Sequence, residues 1–219
     1  MKKYKIKVLL FSLIVGILIV NIKASATLPL AGKLIIIDPG HGGVDPGTID
    51  GDVLEKGLNL EISLILEKIL SEKGASVILT RYEDYDLSKP NAIWRKKSDF
   101  DNRIKMINES KADMYISIHM NHLPQEKYYG AQVFYLNEND ANKNIAKKIQ
   151  DVINIELNFD RESKAIPNET YMYPKLKIPG VLIECGFLSN DEEKIKLQKK
   201  EYQYELVRVI VEGVVKSFL

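Results

Sequence analysis

Short, almost unbroken apolar runs recur along the chain. Leu34-Ile35-Ile36-Ile37, Ala75–Arg81, Met114–Ile118, Gly130–Leu136 and Val181–Phe187 each have the length of a strand buried on both faces. Between them the apolar spacing lengthens to that of a helix. Leu54, Leu58, Ile62, Ile65, Leu66, Ile69 and Leu70 line one face of a helix that Asp52 would cap at its start and Gly74 at its end. Asp99–Glu109 carries Phe100, Ile104 and Ile107 on one face and Arg103 on another, and Glu138–Leu157 turns Ile145, Ala146, Ile149, Val152, Ile153 and Leu157 inward. Asp191–Gln198 and Glu201–Phe218 close the chain as helices. Strands alternating with helices predict one α/β domain around a largely parallel sheet. The chain has 219 residues, enough for a full core. No internal repeat or flexible linker divides it.

The first 26 residues stand apart. Val8–Val20 is an apolar run broken only by Ser12 and Gly16. As a helix it would span roughly 20 Å, short of the ~30 Å hydrocarbon layer. A lysine-rich start, this run and Ala24-Ser25-Ala26 have the layout of a secretory signal cleaved after Ala26. An uncleaved membrane anchor is the other reading. Both put residues 27–219 outside the cytoplasm. The five lysines before Thr27 (Lys2, Lys3, Lys5, Lys7 and Lys23) meet no acidic residue there, so without them the net charge of +1 becomes −4. A mildly acidic body argues against nucleic acid as the partner. Cys185 is the single cysteine, inside an apolar run, and reads as a buried inert thiol.

Chemistry collects where apolar runs end. The first passes into Asp38-Pro39-Gly40-His41-Gly42-Gly43 and the third into His119-Met120-Asn121-His122. In open α/β folds ligands sit at the carboxyl ends of strands. His41 and His119 would then reach one ion if their strands are neighbours. A glycine-rich phosphate loop or an ordinary turn is the competing reading of the first segment, though it lacks the Lys-Ser/Thr of a P-loop and the dinucleotide glycine spacing. Glu55, three residues after the expected cap, reads by itself as a capping-box carboxylate. Glu184 interrupts an apolar strand, where an unpaired carboxylate is costly and its pKa is driven up. Two imidazoles, one carboxylate and an open position make a catalytic zinc site, and a further carboxylate can carry protons beside it.

The wording around these residues is more specific than their spacing. Asp38–Gly43, Glu55, Thr80-Arg81, Ser117–Asn121 and Glu184-Cys185-Gly186-Phe187-Leu188-Ser189-Asn190 follow in an order that resembles the zinc-dependent N-acetylmuramoyl-L-alanine amidases, which remove stem peptides from peptidoglycan. The resemblance runs from about Leu34 to Leu219. It implies that His41, Glu55 and His119 hold Zn²⁺ and that Glu184 is the catalytic carboxylate. It also implies a three-layer domain whose twisted, mostly parallel mixed sheet is flanked by helices. Arg81, Arg103 and Asn121 match recurrent positions and are expected to shape the site or contact substrate. His122 stands where the family has a small residue. Side chains three apart on a strand face opposite ways, so it need not share the ion.

The compact layout, the Trp94-Arg95-Lys96-Lys97-Ser98-Asp99 segment and Lys177–Val181 are most similar to the spore-cortex (CwlD-type) amidases, in which stem removal prepares muramic acid for δ-lactam formation. Two alternatives stand beside this reading: a catalytically weak glycan-binding or adaptor protein of the envelope, and an amidase competent only with an accessory envelope protein. Tyr82, Tyr85, Trp94, Tyr128, Tyr129, Tyr171 and Tyr173 are candidates for stacking on sugar rings or for packing.

Overall fold

The computed structural model describes residues 28–137, 140–167 and 169–219. The expected signal or anchor, residues 1–26, lies outside them. Among the described residues no helix is long and apolar enough to cross a membrane.

The elements in order are β1 (Leu34–Pro39), β2 (Ile49–Asp50), β3 (Val53–Leu54), α1 (Glu55–Glu72), β4 (Ser76–Leu79), α2 (Arg95–Glu109), β5 (Met114–Asn121), β6 (Gln132–Tyr135), α3 (Asp140–Leu157), β7 (Lys164–Ala165), a 3₁₀ turn (Tyr173–Lys175), β8 (Gly180–Phe187), α4 (Asp191–Leu197) and α5 (Lys200–Phe218). Six strands form one sheet in the order β4-β1-β5-β8-β6-β7. Neighbours run parallel except β6, which is antiparallel to β8.

The unbroken apolar runs follow from a sheet covered twice. Ile35 and Ile37 point into the larger core with α1, α3 and α5, while Ile36 points the other way, against Ile107 of α2, Tyr115, Met172 and Leu176. Alternate side chains therefore enter different cores, and no polar face is needed. The 170–178 segment shares the second face with α2. It is tied there by the pair Asn108 Nδ2 to Lys175 O (3.0 Å) and Lys177 N to Asn108 Oδ1 (2.8 Å).

The start of α1 differs from expectation. Asp52 does not cap it. Residues 49–54 form the small β2–β3 hairpin, Asp52 lies in its turn, and the helix begins at Glu55 with no side-chain cap. The hairpin settles the entry of the chain, so the Glu55 side chain is not needed at the helix end and turns inward. Gly74 does lie just past α1, at φ +97°. α2 begins at Arg95, one turn earlier than Asp99.

Candidate active site

β1 and β5 are adjacent and in register, Pro39 beside Ile118, so their carboxyl ends release His41 and His119 next to each other. The two rings meet edge to face with centroids 5.0 Å apart. Glu55, at the first position of α1, projects between them. Its Oε1 lies 3.2 Å from His41 Nε2 and 3.0 Å from His119 Nδ1. The same oxygen accepts from Met120 N, and Oε2 accepts from Thr48 N. Burial opposes its ionisation, yet the two imidazoles and these hydrogen bonds hold its pKa far below the usual carboxylate range.

The backbone leaves room for this cluster. A Cβ at Gly40 would lie 2.2 Å from His119 Cε1, and one at Gly47 would lie 2.6 Å from Glu55 Oε2 and 2.7 Å from His41 Cδ2. His41 itself is at φ +62°, a conformation costing a non-glycine residue about 1–3 kcal/mol. Two buried arginines hold the loop in it. Arg81 donates to the carbonyls of Pro39, Gly40, Glu83 and Lys56. Arg103 donates to the carbonyls of Pro39 and His41 and to the carboxylates of Asp38 and Asp99. Arg81 is 0% and Arg103 1% exposed, so neither touches a substrate in this conformation. Of the two roles expected for them, shaping the loop is the one their geometry supports.

Glu184 of β8 lies directly beside His119 of β5 in register, so it faces the same way. Its Oε2 is closed off from solvent and has no hydrogen-bond partner among the described residues. Burial and the charge of Glu55 push its pKa up to about 8, with His41 opposing. A group poised there can hold a proton or release it near neutral pH. The cleft in front, about 430 Å³, is lined by His41, Glu55, His119, Asn121, His122 and Glu184 among others. His122 turns toward Asp50, 3.8 Å away, and is not in the donor cluster. Asn121 lines the cleft and is not among the clustered donors.

A second cavity of about 230 Å³ opens on the other side of the histidines, walled by Phe100, Arg103 and residues 170–173. Of the aromatic candidates, only Tyr171 and Tyr173 reach it. Trp94 is 76% exposed at the start of α2, Tyr128 stacks on Phe187, and Tyr129 packs against Phe159. Sequence reasoning gave no role at the histidines to three residues, of which Tyr173 was expected only to stack or pack. Asp45 Oδ2 lies 3.1 Å from His41 Nδ1, although the ring N–H is not well aimed at it. Asp38 anchors the loop from below. Tyr173 OH is 3.4 Å from His119 Nε2. Only Asp38 carried a local signal, as a carboxylate ending a buried apolar run.

The donor atoms of His41, Glu55 and His119 all lie within 4.8 Å of one another. Ligands bound tetrahedrally at ~2.0–2.2 Å sit roughly 3.3–3.5 Å apart, so these residues fit a divalent metal with a position left open.

Comparison with known proteins agrees. Residues 35–216 match the Amidase_3 family model, N-acetylmuramoyl-L-alanine amidase. The chain is 42% identical over 196 residues to the germination-specific N-acetylmuramoyl-L-alanine amidase of Bacillus subtilis, covering 88% of this chain and 82% of that one. The CwlD amidase of Clostridioides difficile, solved in complex with the GerS lipoprotein, superposes with a TM-score of 0.81 at 36% identity over 85% of this chain and 98% of that one. An N-acetylmuramoyl-L-alanine amidase of Clostridium difficile 630 superposes at 0.74, with 31% identity over 85% and 96%. With its α/β sandwich, its clustered donors and these relatives, the chain belongs to the N-acetylmuramoyl-L-alanine amidases, hydrolases of peptidoglycan.

Proposed function

We propose that the protein is a zinc-dependent amidase. It cuts the bond between the lactyl group of N-acetylmuramic acid and L-alanine in spore-cortex peptidoglycan, clearing muramic acid for δ-lactam formation. The observation that carries this reading is the convergence of His41 Nε2, Glu55 Oε1 and His119 Nδ1 beside the unpartnered Oε2 of Glu184. The spore-cortex setting is supported by the 42% identity to the germination-specific enzyme.

His41, Glu55 and His119 hold the ion. When bound, zinc supplies a Lewis acid that acidifies water and polarises a carbonyl. Glu184 takes the proton from the attacking water and returns it to the leaving nitrogen of L-alanine. Its raised pKa suits both transfers, since a carboxyl near pH 7–8 neither keeps nor refuses a proton strongly. Glu55, held ionised, remains an acceptor throughout. Arg81 and Arg103 keep the His41 loop in its strained shape, and Asn121 borders the substrate cleft.

Action is extracytoplasmic, with residues 1–26 as signal or anchor. A second reading concerns assembly: the enzyme is competent only when an accessory envelope protein orders or targets it. The complex formed by the CwlD amidase with a lipoprotein supports that reading.

The test is to incubate purified protein with defined muropeptides and weigh the products. Released stem peptide is expected with zinc and none after chelation. Glu184→Gln should bind zinc as the wild type does and lose about 10²–10⁴-fold in turnover. Full turnover by that variant, or by chelated protein, would sink the assignment.

A further inference from the structure

A chain of hydroxyls runs from the metal-site histidine to a buried carboxylate, and that carboxylate sets its direction from one end. Asp38 is 2% exposed and Ser117 0%. Asp38 Oδ1 receives Thr80 Oγ1 at 2.6 Å and Arg103 Nη1 at 2.7 Å, so it is an ionised acceptor with no proton to give. Ser117 Oγ lies 3.1 Å from Asp38 Oδ2 and 3.4 Å from the Asp38 carbonyl. Both atoms only accept, so the serine proton points at Asp38. Tyr173 OH, 3.2 Å from Ser117 Oγ, can then bond the serine only by donating to its oxygen. The Tyr173 oxygen is left to accept from His119 Nε2, at 3.4 Å. A neutral imidazole carries one ring proton. If that proton sits on Nε2, the lone pair of Nδ1 faces Glu55 Oε1 at 3.0 Å. A lone pair and a carboxylate oxygen so placed are jointly suited to a cation.

We propose that Tyr173 is a positioning residue that, through Ser117, relays the demand of Asp38 for a proton to His119, favouring the proton on Nε2 and so presenting Nδ1, beside Glu55 Oε1, to a metal. The relay lengthens the familiar carboxylate–histidine–metal arrangement by two hydroxyls. It also gives the 170–178 strap a task. The strap holds Tyr173 because it is pinned to α2 at two places. Tyr171 donates to Asp101 Oδ1 at 2.6 Å and stacks on Phe100, and Asn108 bonds Lys175 and Lys177 farther along the helix. Tyr173 therefore couples the metal site to a surface segment.

This inference rests on the metal-site reading above. Its test uses the full chain, with Tyr173→Phe and Ser117→Ala as variants, and zinc affinity measured by competition with a chromogenic chelator. Each variant should bind zinc about 10–100-fold more weakly than wild type. A purely structural role would lower the melting temperature and leave that affinity alone. Zinc affinity within twofold of wild type in both variants would overturn the relay, and a fall in turnover alone would assign Tyr173 to the substrate instead. A wild type that binds no zinc overturns both the relay and the reading beneath it.

Discussion

Replacing Arg103 with Met removes the cation on which the His41 loop rests. The guanidinium makes four bonds: Asp99 Oδ2 at 2.9 Å, Asp38 Oδ1 at 2.7 Å, Pro39 O at 2.8 Å and His41 O at 2.5 Å. The side chains of Arg103 and Asp38 are both 2% exposed, so solvent does not screen the pair. Losing one partner of a buried ion pair costs about 3–5 kcal/mol, chiefly because a charge is left behind. At ~2–4 °C per kcal/mol for a domain of this size, the melting temperature should fall by roughly 6–20 °C. Melting followed by circular dichroism in chelated buffer separates this from metal loss. The pH dependence gives a sharper check. In the wild type burial works to raise the Asp38 pKa, but Arg103 and Thr80 outweigh it and the net shift is downward. That stabilisation is present above the unfolded value of ~3.9 and is lost as pH falls through the lower folded value. Without Arg103, burial wins and the Asp38 pKa rises above the unfolded one. The deficit of the variant should therefore be largest near neutral pH and shrink on acidification toward about pH 4.5. A drop under roughly 3 °C, or a deficit that widens in acid, would refute the account of Arg103 as the clamp of this loop.

Two other outcomes follow from the same geometry. Gly40→Ala puts a methyl 2.2 Å from His119 Cε1, so the ring must move. An overpacking cost of about 1–3 kcal/mol, read by thermal melting, and a loss of zinc affinity are expected, and unchanged affinity would contradict the packing argument. In chelated protein, burial lowers the His41 pKa, but Glu55 and Asp45 more than offset it and the net shift is upward. Its stabilisation is complete below the unfolded pKa of ~6.5 and lost as pH rises through the folded value. Chelated protein should thus melt lower at about pH 8 than at about pH 6. Zinc-loaded protein should show the reverse, because the ligand imidazoles must be neutral.

The alternation of apolar runs and helical faces was enough to predict a parallel-rich α/β domain, because a sheet covered on both sides needs no polar face. Leu34–Ile37 shows this directly: neighbouring isoleucines enter opposite cores, and the run stays unbroken. The histidines were visible too, since each follows a strand whose end the sequence marks. Glu55 was legible only through family resemblance. Its spacing suited a cap, and nothing local reveals that a two-strand hairpin takes over the helix entry and turns the carboxylate inward.

Sequence by itself therefore determined the elements, the layer order of apolar faces and the strand ends that carry chemistry, since these depend on residues near one another in the chain. Tertiary structure alone decided which polar groups meet. Arg103 reaches back 62 residues to hold the His41 carbonyl, and Tyr173 crosses 54 to meet His119. Such contacts arise where the sheet register and the strap on its second face bring distant segments within a hydrogen-bond length, and no periodicity along the chain encodes that distance.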